Sequence, residues 1–224
     1  MMPRLSYNKH SAKTAEGKTK KNTHTRNQTV RIIAGKYRSR TITFSSHDNV
    51  RPTTDRARET LFNWLMPYLD QAQCLDLFAG SGILGIESLS RGAAHCTFID
   101  NHSDCCKHIT KALTQLQNNQ FSCVCANLPN ALFTENKRFD IVFLDPPYTL
   151  ADSLLPRCLE GIVNRLATGA LVYLELSQTQ ALPSLPSAFT VHRSKSYGQS
   201  QHVLLRYKTI ACDDFDAKSR GKKG

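Results

Sequence analysis

The feature that most restricts how this chain can fold is a regular alternation that begins at Gln73, in which apolar runs of strand length take turns with stretches of helical periodicity. Strand-like runs at residues 74–78, 95–99, 121–125, 139–144 and 170–176 are interleaved with predicted helices at 83–91, 103–117 and 153–166. Apolar strands that alternate with helices imply a parallel sheet covered on both faces. The last two runs, 188–194 and 202–207, are joined through Tyr197-Gly198-Gln199-Ser200, which leaves no room for a helix. They predict an antiparallel hairpin. The expected fold is therefore α/β, a mostly parallel seven-stranded sheet with a C-terminal antiparallel hairpin.

Upstream of this body, residues 30–35 and 37–42 read as two short strands around a Gly35-Lys36 turn, a basic β-hairpin. Thr53 or Thr54 can cap a helix in which Ala57, Leu61, Trp64 and Leu65 recur at helical spacing until Pro67 ends it. Residues 1–29 are polar and basic without periodicity, so they read as a disordered leader that cannot bury enough apolar surface to fold alone. The organisation expected is a leader at 1–29, a hairpin arm at 30–50, a catalytic domain at 51–208 and a polar tail at 209–224.

The formal net charge of +11 is unevenly placed: residues 1–58 hold 14 Lys or Arg against 3 acids, and residues 59–224 hold 15 of each. A neutral body with a cationic arm suits a polyanion-binding enzyme, because Lys and Arg supply the sequence-independent part of nucleic-acid affinity. A solvated tail that aids solubility is the plainer reading of residues 1–29. No apolar run is long enough to span a bilayer, and the first 30 residues lack the apolar core of a secretory signal, so no membrane partner and a cytoplasmic address are expected. Most of the eight cysteines, among them Cys74, Cys96, Cys123 and Cys125, fall in apolar segments where the thiol acts as a small hydrophobe. The group His102, Cys105, Cys106 and His108 sits on a predicted helix without a CxxC, and no metal is expected there.

A ligand loop follows the first strand of the body. Asp76-Leu77-Phe78-Ala79-Gly80-Ser81-Gly82-Ile83-Leu84-Gly85 runs from a strand end through glycines into a helix, which points backbone N–H groups at a ligand. Gly80, Gly82 and Gly85 match a dinucleotide fingerprint literally, and Asp100 stands where an acid can accept hydrogen bonds from ribose hydroxyls. Asp76 decides between the cofactors: a carboxylate there repels a pyrophosphate but can face the ammonium of S-adenosylmethionine, whose methionine and ribose Phe78, Ala79, Gly80, Ser81 and Gly82 would approach closely. Asn127, after the third strand, offers an amide oxygen to the adenine amino group.

Asp145-Pro146-Pro147-Tyr148 follows the fourth strand, in the crevice at the carboxyl end of the sheet. An exocyclic amino group of a base is a poor nucleophile because its lone pair is delocalised into the ring. The Asp145 carboxylate and the Pro146 carbonyl can hold its two hydrogens and favour a nitrogen aimed at the cofactor methyl. Pro147 stiffens the turn, and Tyr148 can stack on an extruded base. A tight proline turn would explain this tetrapeptide taken alone. Its order after the glycine loop and Asp100 points instead to amino-group methylation.

A sheet that is parallel except for a reversed strand near its end resembles the class I Rossmann-like methyltransferases. More specifically, Arg31-Ile32-Ile33-Ala34-Gly35 with Arg38 and Arg40, and the segment Arg51-Pro52-Thr53-Thr54-Asp55-Arg56-Ala57-Arg58-Glu59-Thr60-Leu61-Phe62-Asn63, resemble the RsmD-type ribosomal RNA guanine-N2 methyltransferases over about residues 30–207. The resemblance implies methylation of one guanine N2 in 16S ribosomal RNA, presented on an assembled or partly assembled small subunit, with no obligate protein partner. Arg31, Lys36, Arg38, Arg40 and Arg51 then become RNA contacts, while Thr53, Thr54, Arg58 and Glu59 help close the methionine end of the cofactor pocket. Ala34 departs from the second glycine of the family's RIIGG pattern. Three other readings stay open: an adenine-N6 methyltransferase, a nicotinamide-dependent oxidoreductase, and an RNA-binding protein without chemistry.

Overall fold

A computed structural model describes residues 26–46, 54–129 and 137–208. In chain order the strands are β1 (Arg26–Arg31), β2 (Thr41–Ser46), β3 (Gln73–Leu77), β4 (His95–Asp100), β5 (Phe121–Cys125), β6 (Phe139–Leu144), β7 (Leu166–Ser177), β8 (Phe189–Tyr197) and β9 (Ser200–Tyr207). The helices are α1 (Asp55–Leu65), α2 (Ile83–Ser90), α3 (Ser103–Gln115) and α4 (Tyr148–Ile162). Strands β3 to β9 make one seven-stranded sheet in the order β5-β4-β3-β6-β7-β9-β8. The pairs among β5, β4, β3, β6 and β7 are parallel, and β9 pairs antiparallel with β7 and β8. This is the expected α/β, Rossmann-like methyltransferase sheet.

Alternation along the strands sends side chains to two cores. Cys74, Cys96, Phe98, Ile141, Phe143, Tyr173 and Leu204 face one side, with Leu61, Phe62 and Leu65 of α1 and Ile86 of α2. Leu75, Leu77, Val142, Leu144, Val172 and Leu174 face the other, against Leu155, Leu159 and Ile162 of α4. Each fully buried aliphatic chain contributes about 1.5–3 kcal/mol of transfer free energy, so the central strands are held by both faces. Thr54 caps α1 by accepting from the Ala57 N–H at 3.3 Å.

The N-terminal hairpin departs from the sequence expectation. The paired residues are 26–31 and 41–46, so the strand starts inside the segment read as an unstructured leader, and residues 32–40 form a folded loop rather than a tight turn at Gly35-Lys36. The cause is a partner remote in sequence. The buried Glu87 carboxylate of α2 accepts from the N–H groups of Ile33 and Ala34 at 2.9 and 3.0 Å. The Ser90 carbonyl accepts from Lys36 N at 2.7 Å. Gly35, at φ +81°, lies so close to this helix end that a Cβ would stand 1.9 Å from the Ser90 carbonyl oxygen. Gly35 therefore serves close packing, not a hairpin turn.

Two other boundaries shift. Helix α4 begins at Tyr148 instead of residue 153, with Pro147 as its N-cap, and it tolerates Pro156 in its interior. Strand β7 is longer than expected because it starts at Leu166, ahead of a register shift against β6.

Candidate active site

The cofactor loop and the 145–148 turn meet because β3 and β6 are neighbours in parallel, with Asp76 opposite Phe143 and Leu77 opposite Leu144. Both chains leave the sheet at the same edge. Phe78, Gly80 and Gly82 all have positive φ, at 64°, 52° and 74°. This left-handed backbone is costly for Phe78 and free for glycine. Gly82 N donates to the Ala79 carbonyl at 2.6 Å, and the Ser81 hydroxyl accepts from Ile83 N at 3.4 Å, which closes the turn into α2. Gly85 is required for packing: a Cβ there would stand 2.3 Å from Phe98 Cε1 and 2.6 Å from Cys96 Sγ. At Gly80, among the described residues, the heavy atom within reach of a Cβ is the Phe78 carbonyl oxygen 3.8 Å away, so the glycine is not held by close packing.

Carboxylates line this edge. Asp76 is buried and accepts from Gly85 N at 3.0 Å. Burial raises its pKa from the usual 3.8 to about 8, partly offset by that hydrogen bond and reinforced by Asp100. Asp100 accepts from Gly80 N and from His102 N, both at 2.8 Å, so one side chain ties the ends of β3 and β4 together. Asp145 follows β6, and burial, Glu175 and Asp76 push its pKa well above the ordinary carboxylate range. Among the described residues no lysine or arginine pairs with Asp76, Asp100 or Asp145. Carboxyls that ionise when a cation sits beside them fit a sulfonium and an ammonium, and disfavour a pyrophosphate. By this donor set the residues present suit S-adenosylmethionine.

Behind Asp145 lies a polar network that the sequence pattern does not single out. The Tyr148 hydroxyl is 3.1 Å from Glu175 Oε1 and 2.7 Å from Ser200 Oγ. The Tyr173 hydroxyl is 3.1 Å from Glu175 Oε2 and 2.6 Å from His202 Nδ1. Each hydroxyl carries one proton, so a consistent orientation has both tyrosines donate to Glu175, Ser200 donate to Tyr148, and a neutral His202 donate from Nδ1 to Tyr173. Burial lowers the His202 pKa, in keeping with the neutral ring. Burial also raises Tyr148 to about 12, so it stays a phenol. One signal in the sequence could have found Glu175 and Tyr173: both are polar groups inside a strand whose neighbours on each side are apolar.

The remaining sequence-derived candidates scatter more widely. Pro146 is buried, and Pro147 and Tyr148 are exposed at the mouth. Asn127 is exposed just beyond β5. Arg58 is fully buried, and its Nη2 donates to the Arg31 carbonyl at 2.9 Å and to Asp55 at 2.7 Å, which ties α1 to the hairpin. Its Nε and Nη1 find no protein partner. Arg31, Lys36, Arg38 and Arg40 are all exposed on the hairpin and its loop. Arg51 and Thr53 lie outside the described residues.

A family model described as conserved hypothetical protein 95 matches residues 30–206. Ribosomal RNA small subunit methyltransferase D of Escherichia coli K12 is 38% identical over 199 residues, which is 88% of this chain and 100% of that protein. The protein of the same name from Haemophilus influenzae is 38% identical over 183 residues, 79% of this chain and 93% of its own. The solved structure of yhhF from Escherichia coli matches with a TM-score of 0.73 at 38% identity, covering 81% of this chain and 99% of that one.

Proposed function

The chain belongs to the RsmD family, and from that premise we propose that it transfers a methyl group from S-adenosylmethionine to the exocyclic N2 of one guanine in 16S ribosomal RNA, presented by the small ribosomal subunit. The observation that carries this reading is the adjacency of the glycine loop after β3 and the Asp145-Pro146-Pro147-Tyr148 turn after β6. When bound, the cofactor supplies an electrophilic methyl on a positively charged sulfur. Asp76 would hold its ammonium, Asp100 its ribose hydroxyls, and the backbone from Phe78 to Gly82 its methionine and ribose.

Asp145 and the Pro146 carbonyl accept the two amino hydrogens of the base and direct the nitrogen lone pair toward the methyl. A cationic neighbour favours the ionised form of Asp145, so the acceptor is made ready by the same charge that makes the methyl reactive. Asp145 then takes the proton released as the C–N bond forms. Tyr148, held by Glu175 and Ser200, presents its ring to the extruded base. Arg31, Lys36, Arg38, Arg40 and Arg51 grip phosphates and fix the register of the RNA without reading sequence.

The test is methyl transfer from labelled S-adenosylmethionine to small subunits from a strain lacking the enzyme, followed by nucleoside analysis. One N2-methylguanosine per subunit is expected, and Asp145→Ala should abolish it. Label on adenine N6, or transfer unaffected by Asp145→Ala, would overturn the assignment. Tight NADH binding without S-adenosylmethionine binding would overturn the cofactor.

A further inference from the structure

The edge of the sheet opposite the N-terminal hairpin carries a charge pattern that the proposed chemistry leaves unexplained. Residues 189–208 contain Arg193, Lys195, Arg206 and Lys208 and no acid. In β8, alternation places Arg193, Lys195 and Tyr197 on one face, the face that α1 also covers, since Lys195 pairs with His202 and Tyr197 with Ser200. Arg193 and Lys195 are exposed, as is Arg56 on α1. Two cations converge on one ring: the Arg56 guanidinium lies 5.7 Å and the Lys195 ammonium 5.2 Å from the centre of Tyr197. The Tyr197 hydroxyl is fixed against Thr60 at 2.5 Å. That hydrogen bond chiefly, with smaller contributions from Lys195 and Arg56, lowers the phenol pKa. Among the described residues none of Arg56, Arg193 and Lys195 forms an ion pair, and the nearby Asp55 is taken by Arg58 and Arg31.

The position is as informative as the charge. Ser200, paired with Tyr197 at the tip of the β8–β9 hairpin, touches the Tyr148 hydroxyl at 2.7 Å. The cationic ring thus begins one residue pair from the mouth of the site. The β1–β2 loop docks on α2 through Glu87 and Ser90, over β3 and β4, while β8 and β9 lie beyond β7 on the other flank of β6.

We propose that Arg56, Arg193, Lys195 and Tyr197 form a second RNA contact, which holds the backbone and a flanking base beside the target nucleotide, at the tip of the β8–β9 hairpin. The inference rests on the reading of the substrate as RNA. The cations neutralise phosphates, and Tyr197, its ring close to Arg56 and Lys195, offers an edge and part of a face to a neighbouring base. Exposed unpaired cations beside a neutral, partly exposed aromatic ring match single-stranded RNA better than a protein surface, which would call for an apolar centre.

The experiment uses the full chain and a fluorescein-labelled 16S ribosomal RNA fragment, with binding followed by anisotropy between 50 and 300 mM salt, on the order of the range where phosphate contacts dominate. The double variant Arg193→Ala/Lys195→Ala should flatten the log Kd against log salt slope by about 1.4, at about 0.7 for each single-strand phosphate that is no longer neutralised. Its S-adenosylmethionine affinity should match the parent's. Arg157→Ala, an exposed cation on α4 at the other face, should leave the slope unchanged. A parental slope in the double variant, or an equal flattening by Arg157→Ala, overturns the second RNA site. Methyl transfer by the parent, measured separately, decides the function itself, so the two readings fail independently.

Discussion

Replacing Asp76 by Asn tests the electrostatics of the cofactor pocket directly. The Asp76 carboxyl is held near pKa 8 against an ordinary 3.8, chiefly by burial. Between these values the folded chain keeps a proton that the unfolded chain has released, so stability falls as pH rises through this window. The contribution is intact below the unfolded value and lost in full above the folded one. At about 1.4 kcal/mol per pH unit, the interval from pH 5 to pH 7 corresponds to about 3 kcal/mol. Asn is nearly isosteric and its amide oxygen can still accept from Gly85 N, but it does not titrate. Its buried amide donors add a constant offset, so the change of the stability gap with pH is the quantity to read. In urea unfolding, Asp76→Asn should gain about 3 kcal/mol relative to the parent between pH 5 and pH 7. A gap constant to within about 0.5 kcal/mol, near the limit at which mutant effects are resolved, would refute the burial argument. The same carboxylate should make S-adenosylmethionine bind more tightly to the parent as pH rises from 6 to 8. That dependence should be lost in the variant.

Three further outcomes follow from individual side chains. Gly85→Ala places a methyl against Phe98 and Cys96, and should cost about 1–3 kcal/mol by overpacking, visible as a lowered Tm; an unchanged Tm would mean that α2 can lift off the sheet freely. Glu87→Ala strands the Ile33 and Ala34 N–H groups and Arg91, and should cost about 3–5 kcal/mol as a broken buried pair. Hydrogen exchange at Ile33 and Ala34 should accelerate, and protection kept at both would contradict the docking. Tyr148→Phe removes the hydroxyl bonds to Glu175 and Ser200 but keeps the ring, so kcat should fall roughly tenfold, about 1.4 kcal/mol, with KM for RNA little changed. An unaltered kcat would show that Glu175 does not position the ring.

The sheet is legible in the sequence because its signal is local and repeated. Strands β5 and β6 fall on the expected residues, and the C-terminal hairpin follows from the short link between its two apolar runs. The N-terminal hairpin is illegible for the opposite reason. Nothing near Gly35 announces that Glu87 and Ser90, more than 50 residues away, will capture the backbone of residues 33–37. The adjacency of the glycine loop and the 145–148 turn follows from strand order. By contrast, the Tyr148, Glu175, Tyr173 and His202 network joins α4, β7 and β9, and no spacing along the chain encodes it. Helix α4 starts early at the same place: with Tyr148 in its first turn, the hydroxyl reaches both Glu175 and Ser200.

Charge is sorted across this molecule in a way that separates its two tasks. Asp76, Asp100, Asp145 and Glu175 gather at the ends of β3, β4, β6 and β7, where a cationic cofactor offsets them. Wherever these acids are ionised and not offset they repel RNA, since at short range in a weakly screened pocket one like charge costs as much as one opposite charge gains. The exposed cations stand on other elements, Arg31, Lys36, Arg38 and Arg40 on the N-terminal hairpin and its loop, and Arg56, Arg193 and Lys195 on α1 and β8. Such a separation makes RNA affinity depend on cofactor charge: with the sulfonium bound, the pocket is less negative, and the phosphates next to the target base approach at lower cost. RNA should then bind more tightly to the S-adenosylmethionine complex than to the complex with its neutral-sulfur product. Anisotropy titrations in the two cofactor states should show this difference shrinking in Asp145→Asn, because that variant removes the charge the sulfonium offsets; an identical RNA affinity in both states would show that the acids are screened from the RNA and act on the cofactor alone.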